Sequence, residues 1–275
     1  MIKLIGIDVD GTLLNSRGQI PAANLEALDL AAARGIQIAI VTGRSFSFAL
    51  PAVESLPEPL ILIVHNGALA RRRTGETLIR RLMPRDLALE MLVATMAWRD
   101  CAALLFDRPL RGQMVYDRMD WQHPNRRKFR DRNAAILEEV AALEDALTED
   151  PIQLAYNGGV DAMRAVIAAV RAHRSAPRVA VSLTEYADRD FSLVDVLSQS
   201  TTKGTTLAEL ASVLGIAAPE VMAVGDNYND REMLEWAGTG VIMGNASADL
   251  RDAGFEVTGT NDEAGLAQAI RRHAL

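Results

Sequence analysis

The chain reads as an α/β protein, a doubly wound, Rossmann-like parallel sheet interrupted by an inserted α+β block. Three observations predict it. Short apolar runs with little polar alternation, at Ile2 to Ile7, Ile36 to Val41 and Leu60 to Val64, have the composition of strands covered on both faces. Helical patterns separate them, which is the order of right-handed βαβ crossovers. Beyond residue 82 the alternation gives way to strands and helices in mixed order, and it returns at Thr202.

Each element has a local reason. Pro21 opens a helical pattern with Leu25, Leu28 and Ala32 on one face, and Gly35 closes it. A second helix starts near Ser45 and runs towards Pro57 and Pro59. Ala68 to Arg81 has the pattern of a hairpin turning at Thr74-Gly75. In the inserted block, Pro84 precedes a helix from Asp86 to Trp98, and Ala102 to Phe106 and Gln113 to Tyr116 are short strands. Residues 121–132 are polar and basic, a long helix is predicted over Asn133 to Leu147, and strand Ile152 to Tyr156 leads to helix Asp161 to His173. Strands follow at Arg178 to Glu185 and Phe191 to Val196. The last part alternates again: a helix to Leu214, strand Val221 to Val224, a helix from Asn229 to Ala237, strand Val241 to Met243 and a final helix ending at His273. The predicted boundaries give a core of residues 1–82 and 188–275, with 83–187 inserted.

Composition sets the outer limits. The 275 residues are 49% hydrophobic and 24% charged, the balance of a globular protein of one large or two smaller domains. A net charge of −7 does not suggest a nucleic-acid partner. Cys101 is the only cysteine, which excludes an internal disulfide and a cysteine-based zinc site. No apolar run is long enough for a membrane helix. The first residues lead straight into a strand without a basic leader, so a cytoplasmic location is expected.

Chemistry concentrates where apolar strands end. Asp8 and Asp10 follow the first strand, and in extended backbone a spacing of two would point both carboxylates the same way. Two such charges near a buried strand end repel unless a cation compensates, and a hard, oxygen-seeking ion such as Mg²⁺ suits them. Gly11 and Thr12 supply the turn. Thr42-Gly43-Arg44, His65-Asn66-Gly67 and Gly225-Asp226 end the other strands, and in a parallel sheet these tips share one edge. Lys203-Gly204 opens a helix, where an ammonium and free N–H groups favour an anion. Carboxylates for a metal, a hydroxyl, a fixed ammonium and the further pair Asp226 and Asp230 together make the equipment of phosphoryl transfer.

In their order, the motifs Asp8-Val-Asp10-Gly-Thr12, Thr42-Gly-Arg44, Lys203-Gly204 and Gly225-Asp226-Asn-Tyr-Asn229-Asp230 resemble those of the haloacid-dehalogenase-like phosphohydrolases, and more narrowly the Cof-like subfamily. Asn66-Gly67-Ala68 and Met243-Gly244-Asn245-Ala246 match as well, and the resemblance covers the whole chain. It implies a catalytic core with a cap, Asp8 as the nucleophile that forms an aspartyl-phosphate, and Asp10 as the acid and then the base. It implies Mg²⁺ held by Asp8, the Asp10 main-chain carbonyl and Asp226, with Asp230 orienting or ligating. Thr42, Gly43, Lys203 and Asn229 would contact the phosphoryl group. The expected substrate is a small phosphorylated metabolite, with sugar phosphates foremost. The sequence leaves the oligomeric state open.

Plainer readings stand beside these. The resemblance implies that Asn66 lies at the site mouth, where the family contacts substrate, and it reads about equally as a plain turn; Asn245 reads as a buttress of the metal loop, Arg44 as a local ion pair or a substrate contact, and Cys101 as a small core residue. Arg126-Arg127-Lys128-Phe129-Arg130 reads first as a solvated surface. Two functional alternatives remain at this stage: a phosphomutase, which returns the phosphoryl group to a sugar, and a non-catalytic sensor that has kept the fold. Four intact chemical residues, Asp8, Asp10, Lys203 and Asp226, argue against the sensor, since a pure binder has no need of crowded carboxylates.

Overall fold

A computed structural model describes residues 1–186 and 189–275. The chain divides into two compact units, Met1–Arg80 with Thr201–Leu275, and Arg81–Ser200. In chain order the first unit begins with β1 (Leu4–Ile7), α1 (Ala22–Ala33), β2 (Gln37–Val41), α2 (Phe46–Ala52), β3 (Leu60–Val64), β4 (Leu69–Arg72) and β5 (Thr77–Arg80). The second holds α3 (Arg85–Ala94), β6 (Ala102–Leu105), β7 (Met114–Tyr116), α4 (Pro124–Asn133), β8 (Leu137–Glu139), β9 (Gln153–Gly158), α5 (Val160–Ala172), β10 (Val179–Tyr186) and β11 (Phe191–Ser198). The chain then returns to the first unit through α6 (Lys203–Val213), β12 (Val221–Gly225), α7 (Arg231–Trp236), β13 (Thr239–Ile242), α8 (Ala248–Arg251), β14 (Glu256–Val257) and α9 (Gly265–His273). Among the described residues no helix is long and apolar enough to cross a membrane.

The first unit's sheet has the order β14-β13-β12-β1-β2-β3-β4-β5. Its first six strands are parallel, and the β4–β5 hairpin continues it antiparallel. All of β1 and β3 is buried, as their unbroken apolar sequences predict. Burial of each such aliphatic side chain contributes about 1.5–3 kcal/mol, which makes these strands the rigid centre of the unit. Helix α1 lays Asn24, Ala27, Leu28 and Ala31 inward, a face turned slightly from the one expected. Asn24 is satisfied there: its Nδ2 donates to the Leu13 carbonyl, and its Oδ1 accepts the Ala267 N–H. From β1 the chain winds one way through β2 and β3, whereas β12, β13 and β14 extend the other way. The order therefore reverses between β1 and β12, where Ile7 pairs with Val224. A ligand site is expected beyond the carboxyl ends of strands at such a reversal.

The second unit is a six-stranded sheet of order β10-β11-β9-β6-β7-β8, antiparallel except between β7 and β8. Helix α5 buries Met163, Val166, Ile167 and Val170, a spacing of three and four, and these join Leu154, Tyr156, Val194 and Val196 in one core. Cys101 is buried in that core, as expected.

Two expectations are corrected here. The helix predicted over Asn133 to Leu147 does not form. Helix α4 ends at Asn133, and Leu137–Glu139 instead pairs with Met114–Tyr116, so tertiary pairing overrides a helical pattern of Ala, Leu and Glu. The boundary expected at residue 187/188 lies outside the described residues, and the second unit runs on to Ser200. The reason is β11, which pairs along its length with β10 and along Ser192–Val196 with β9.

Candidate active site

Asp8 follows β1 directly, and its N–H donates to the Val224 carbonyl at 3.0 Å, which holds it beside β12. The backbone then turns: the N–H groups of Leu13 and Leu14 donate to the carbonyls of Asp8 and Val9 at 3.2 and 3.0 Å. Because β1 stops at Ile7, the extended run expected through Asp10 is absent, and the two carboxylates find different partners. Asp8 is buried on Lys203; Asp10 is exposed and meets Arg44. Gly11 makes the turn possible. Its φ is +87°, and a Cβ there would lie 2.1 Å from Asp226 Oδ2.

Lys203 is presented by the first residue of α6. A reciprocal cap starts that helix, with the Thr205 N–H on Thr202 Oγ1 and the Thr202 N–H on Thr205 Oγ1, both at 3.0 Å. Gly204 lets α7 approach, since a Cβ would stand 2.8 Å from the Glu232 backbone. Lys203 Nζ donates to Asp8 Oδ1 and to Asp230 Oδ1, each at 2.6 Å. Burial disfavours the ammonium, but the charges of Asp230 and Asp8 outweigh it and raise the Lys203 pKa. The other Asp230 oxygen accepts the N–H groups of Asp226 and Asn227 at 2.9 and 3.0 Å. Both oxygens of this fully buried carboxylate are thus engaged, and the loop after β12 is wound around it.

Asp226 completes the cluster. One carboxylate oxygen from each of Asp8, Asp226 and Asp230 lies within 4.8 Å of the others. Burial pushes Asp8 up to about 7; Lys203 opposes this, and the charges of Asp230 and Asp10 add to it. Burial, with the charges of Asp8 and Asp230, likewise raises Asp226 well above the usual carboxylate range. Three carboxylates therefore crowd around one ammonium, and the cluster is short of positive charge. An all-oxygen donor set with surplus negative charge fits a hard divalent cation. Asn245 braces the same place from β13's side: its Nδ2 donates to the Gly11 carbonyl at 2.9 Å.

Thr42 follows β2 and is buried; its N–H donates to the Ile63 carbonyl at 2.8 Å, and its hydroxyl accepts the Arg44 N–H at 3.2 Å. Asn66, in the left-handed region at φ 51°, donates its N–H to the Thr42 carbonyl at 3.0 Å. Its Oδ1 accepts Asn229 Nδ2 at 2.9 Å, and a Cβ on Gly43 would lie 3.1 Å from that same oxygen. Asn66 is therefore more than a turn residue, because it ties the Thr42-Gly43 tip to Asn229. Among the described residues, Asn229 Oδ1 is buried without a hydrogen-bond partner.

The structure brings Asp8, Lys203, Asp226 and Asp230 into one cluster, and places Thr42, Gly43 and Asn229 around Asn66. The carboxylate of Asp10 stands outside the three-carboxylate group, held by Arg44. Of the two readings the sequence offered for Arg44, a local ion pair or a substrate contact, the structure shows an ion pair, with Asp10. The position of Arg44 directly after Thr42-Gly43, at the same sheet edge, was the available signal.

A family model for haloacid dehalogenase-like hydrolases matches residues 5–270. The chain is 28% identical over 292 residues to the phosphatase YwpJ of Bacillus subtilis, covering 98% of this chain and 99% of that protein. It is 26% identical over 287 residues to the 5-amino-6-(5-phospho-D-ribitylamino)uracil phosphatase YwtE of the same organism, covering 98% and 97%. A solved haloacid dehalogenase-like hydrolase from B. subtilis superposes with a TM-score of 0.80 at 25% identity, covering 100% of both chains. With the carboxylate cluster, Lys203 and the strand reversal in place, the chain belongs to the haloacid dehalogenase-like hydrolases, as a phosphatase of their Cof-like branch.

Proposed function

We propose that this phosphatase hydrolyses monoesters of small phosphorylated metabolites, sugar phosphates foremost, with Mg²⁺ and through an aspartyl-phosphate on Asp8. The observation that carries the reading is the buried ammonium of Lys203 bridging Asp8 and Asp230 within a cluster still short of positive charge. A relative that acts on a phosphorylated ribityl chain supports a polyhydroxylated substrate.

Lys203 holds one Asp8 oxygen and keeps the other for attack. In the first half-reaction that oxygen bonds to phosphorus while the bond to the leaving oxygen breaks, and Asp10 delivers the proton the leaving group needs. In the second, water bonds to phosphorus as the Asp8–phosphorus bond breaks, and Asp10 takes a proton from the water. Of the three N–H donors of Lys203, two serve Asp8 and Asp230; the third is available to a phosphoryl oxygen. The Thr42 hydroxyl, the Gly43 N–H and the remaining Asn229 N–H complete the phosphoryl contacts. Asp8, Asp226 and the Asp10 carbonyl would hold the metal, and Asp230, occupied by Lys203 and two amides, orients the loop that carries Asp226. Bound Mg²⁺ supplies the positive charge that ionises the crowded carboxylates and offsets the charge of the phosphoryl oxygens.

The test is a panel of phosphate monoesters assayed for phosphate release at fixed Mg²⁺, with Asp8→Asn as the blank. Release from sugar phosphates that Asp8→Asn eliminates is the expected result. Release that persists in Asp8→Asn removes the mechanism, and a panel with no released phosphate removes the substrate class.

A further inference from the structure

Arg44 and Asp10 form a two-bond fork at the edge of the cluster. Arg44 Nε donates to Asp10 Oδ2 at 2.8 Å, and Nη2 donates to Asp10 Oδ1 at 2.6 Å. The Arg44 backbone is pinned on both sides: its N–H donates to Thr42 Oγ1 at 3.2 Å, and its carbonyl accepts the His65 N–H at 2.9 Å. The guanidinium therefore starts from a fixed point between the tips of β2 and β3. Side-chain exposure is 27% for Arg44 and 46% for Asp10. An ion pair that open adds little to stability, so fold maintenance does not account for it. What a two-bond fork does supply is direction, because it fixes the plane of the carboxylate.

We infer that Arg44 is a positioning residue for Asp10, and that it serves the hydrolytic half-reaction. This rests on the proposed aspartyl-phosphate mechanism. Asp10 sits on a turn and is exposed, so without a partner its carboxylate would sample several rotamers. The fork holds it as an aligned proton acceptor, and each oxygen keeps a second lone pair for the incoming proton. In the step it serves, the water oxygen bonds to phosphorus and the electron pair of the breaking bond returns to the Asp8 carboxylate. One water proton goes to Asp10, and the other leaves with the phosphate. In the first half-reaction Asp10 must give a proton up, and a fork on both oxygens brings no comparable advantage.

The test uses radiolabelled p-nitrophenyl phosphate, Mg²⁺ and the full chain, with acid quenching to trap phosphate on the protein. In Arg44→Ala, kcat should fall by up to about 10²-fold, the scale of a misplaced catalytic group. The first-turnover burst of nitrophenol should be kept, and the steady-state fraction of phosphorylated protein should rise. Added guanidinium should restore part of the rate. Arg44→Lys keeps the charge but not the fork and should also accumulate phosphoprotein, which preserves the test if the alanine variant does not fold. Wild-type kcat and trapped phosphate in both variants overturn the inference. A raised KM with unchanged kcat also overturns it, since Arg44 would then be a substrate contact. Absence of trapped phosphate in the wild type during turnover instead refutes the aspartyl-phosphate reading beneath it.

Discussion

Lys203 Nζ and Asp8 Oδ1 lie 2.6 Å apart, although 195 positions separate the two residues in the chain. The contact joins the first strand's tip to the start of the helix that follows the second unit, and it places an ammonium on Asp8, the nucleophile of the proposed mechanism. Asp8→Asn should abolish turnover and keep the fold, because an amide oxygen can still accept from Lys203 but cannot attack phosphorus. Asp10→Asn should lose roughly 10²–10⁴-fold in kcat, the range for a general acid–base. Phosphate release and far-UV circular dichroism on the same preparations check both. Lys203→Met should be worse for the fold than either, by about 3–5 kcal/mol, because two buried carboxylates lose their shared cation. Urea unfolding measures that.

Crowded carboxylates predict how metal, pH and stability are linked. The folded pKa of Asp8, about 7, lies above its ordinary 3.8, so the metal-free folded state binds a proton that the unfolded chain has released. The contribution to stability is thus full below pH 4 and is lost as pH rises to 7. Saturating Mg²⁺ displaces that proton, so the fall should vanish and the melting temperature should rise with metal concentration. Asp226→Asn should raise the melting temperature of the metal-free protein and abolish the Mg²⁺ response. Melting curves at several pH values, with chelator or Mg²⁺, decide this. A metal-free Asp226→Asn no more stable than wild type would refute the account.

Substituting Ca²⁺ should restore activity poorly after chelation. Ca²⁺ takes more ligands at longer distances, which would misplace Asp8, held on one side by Lys203, for the proposed attack. Full activity in chelator, with metal content verified, would remove the metal from the reaction.

What could be read before folding was the part governed by local rules. Strand-end motifs such as Asp8, Thr42 and Asp226 were readable because an apolar run, a glycine and a polar tip occur within a few residues. Lys203 depended on motif order, since nothing near it shows that its ammonium reaches Asp8. What was missed has two causes, partners distant in the chain and one local turn. The 133–147 stretch has helical composition, and its pairing with β7 is decided by distant residues. The Arg44–Asp10 fork joins residues 34 apart, and a single Arg after Thr42-Gly43 has many uses. The expectation that Asp8 and Asp10 point alike assumes extended backbone, whereas β1 ends at Ile7 and the chain turns there, so the two carboxylates take different partners.

The second unit carries a buried ion pair with its own acid sensitivity. Arg99 grips Asp117 with Nε and Nη2 at 2.7–3.0 Å and reaches Glu144 as well, and the side chains of Arg99 and Asp117 are 4% and 1% exposed. Burial works against the charged Asp117, but the hydrogen bonds and charge of Arg99 prevail and hold it below its ordinary 3.8. Arg99 likewise lowers Glu144. A depressed carboxylate contributes stability above its unfolded pKa and loses it as pH falls through the folded value. Asp117→Asn should cost about 3–5 kcal/mol near neutrality, and the gap to wild type should narrow below pH 4. Urea unfolding at pH 7 and pH 3 measures the difference; an equal gap at both would exclude this origin.

The basic stretch on α4 divides into two kinds of residue. Arg126 is 7% exposed, donates from Nε to Asn157 Oδ1 at 2.6 Å and also bonds the Asn157 carbonyl, so it secures the end of β9. Arg127 and Lys128 are exposed, and Arg130 lies 5.8 Å over the Trp121 ring. Neutralising all four together would confuse structure with charge. Arg126→Gln alone should destabilise the protein by about 1–3 kcal/mol, the cost of leaving buried acceptors unsatisfied. The triple change Arg127→Gln, Lys128→Gln and Arg130→Gln should alter stability by no more than about 0.5 kcal/mol, as for exposed charges. It should also leave kcat/KM unchanged for both singly and multiply charged phosphate esters, at low and high salt. If the triple variant instead loses activity towards multiply charged esters, and the loss shrinks with salt, these charges steer substrate and the solvated-surface reading fails.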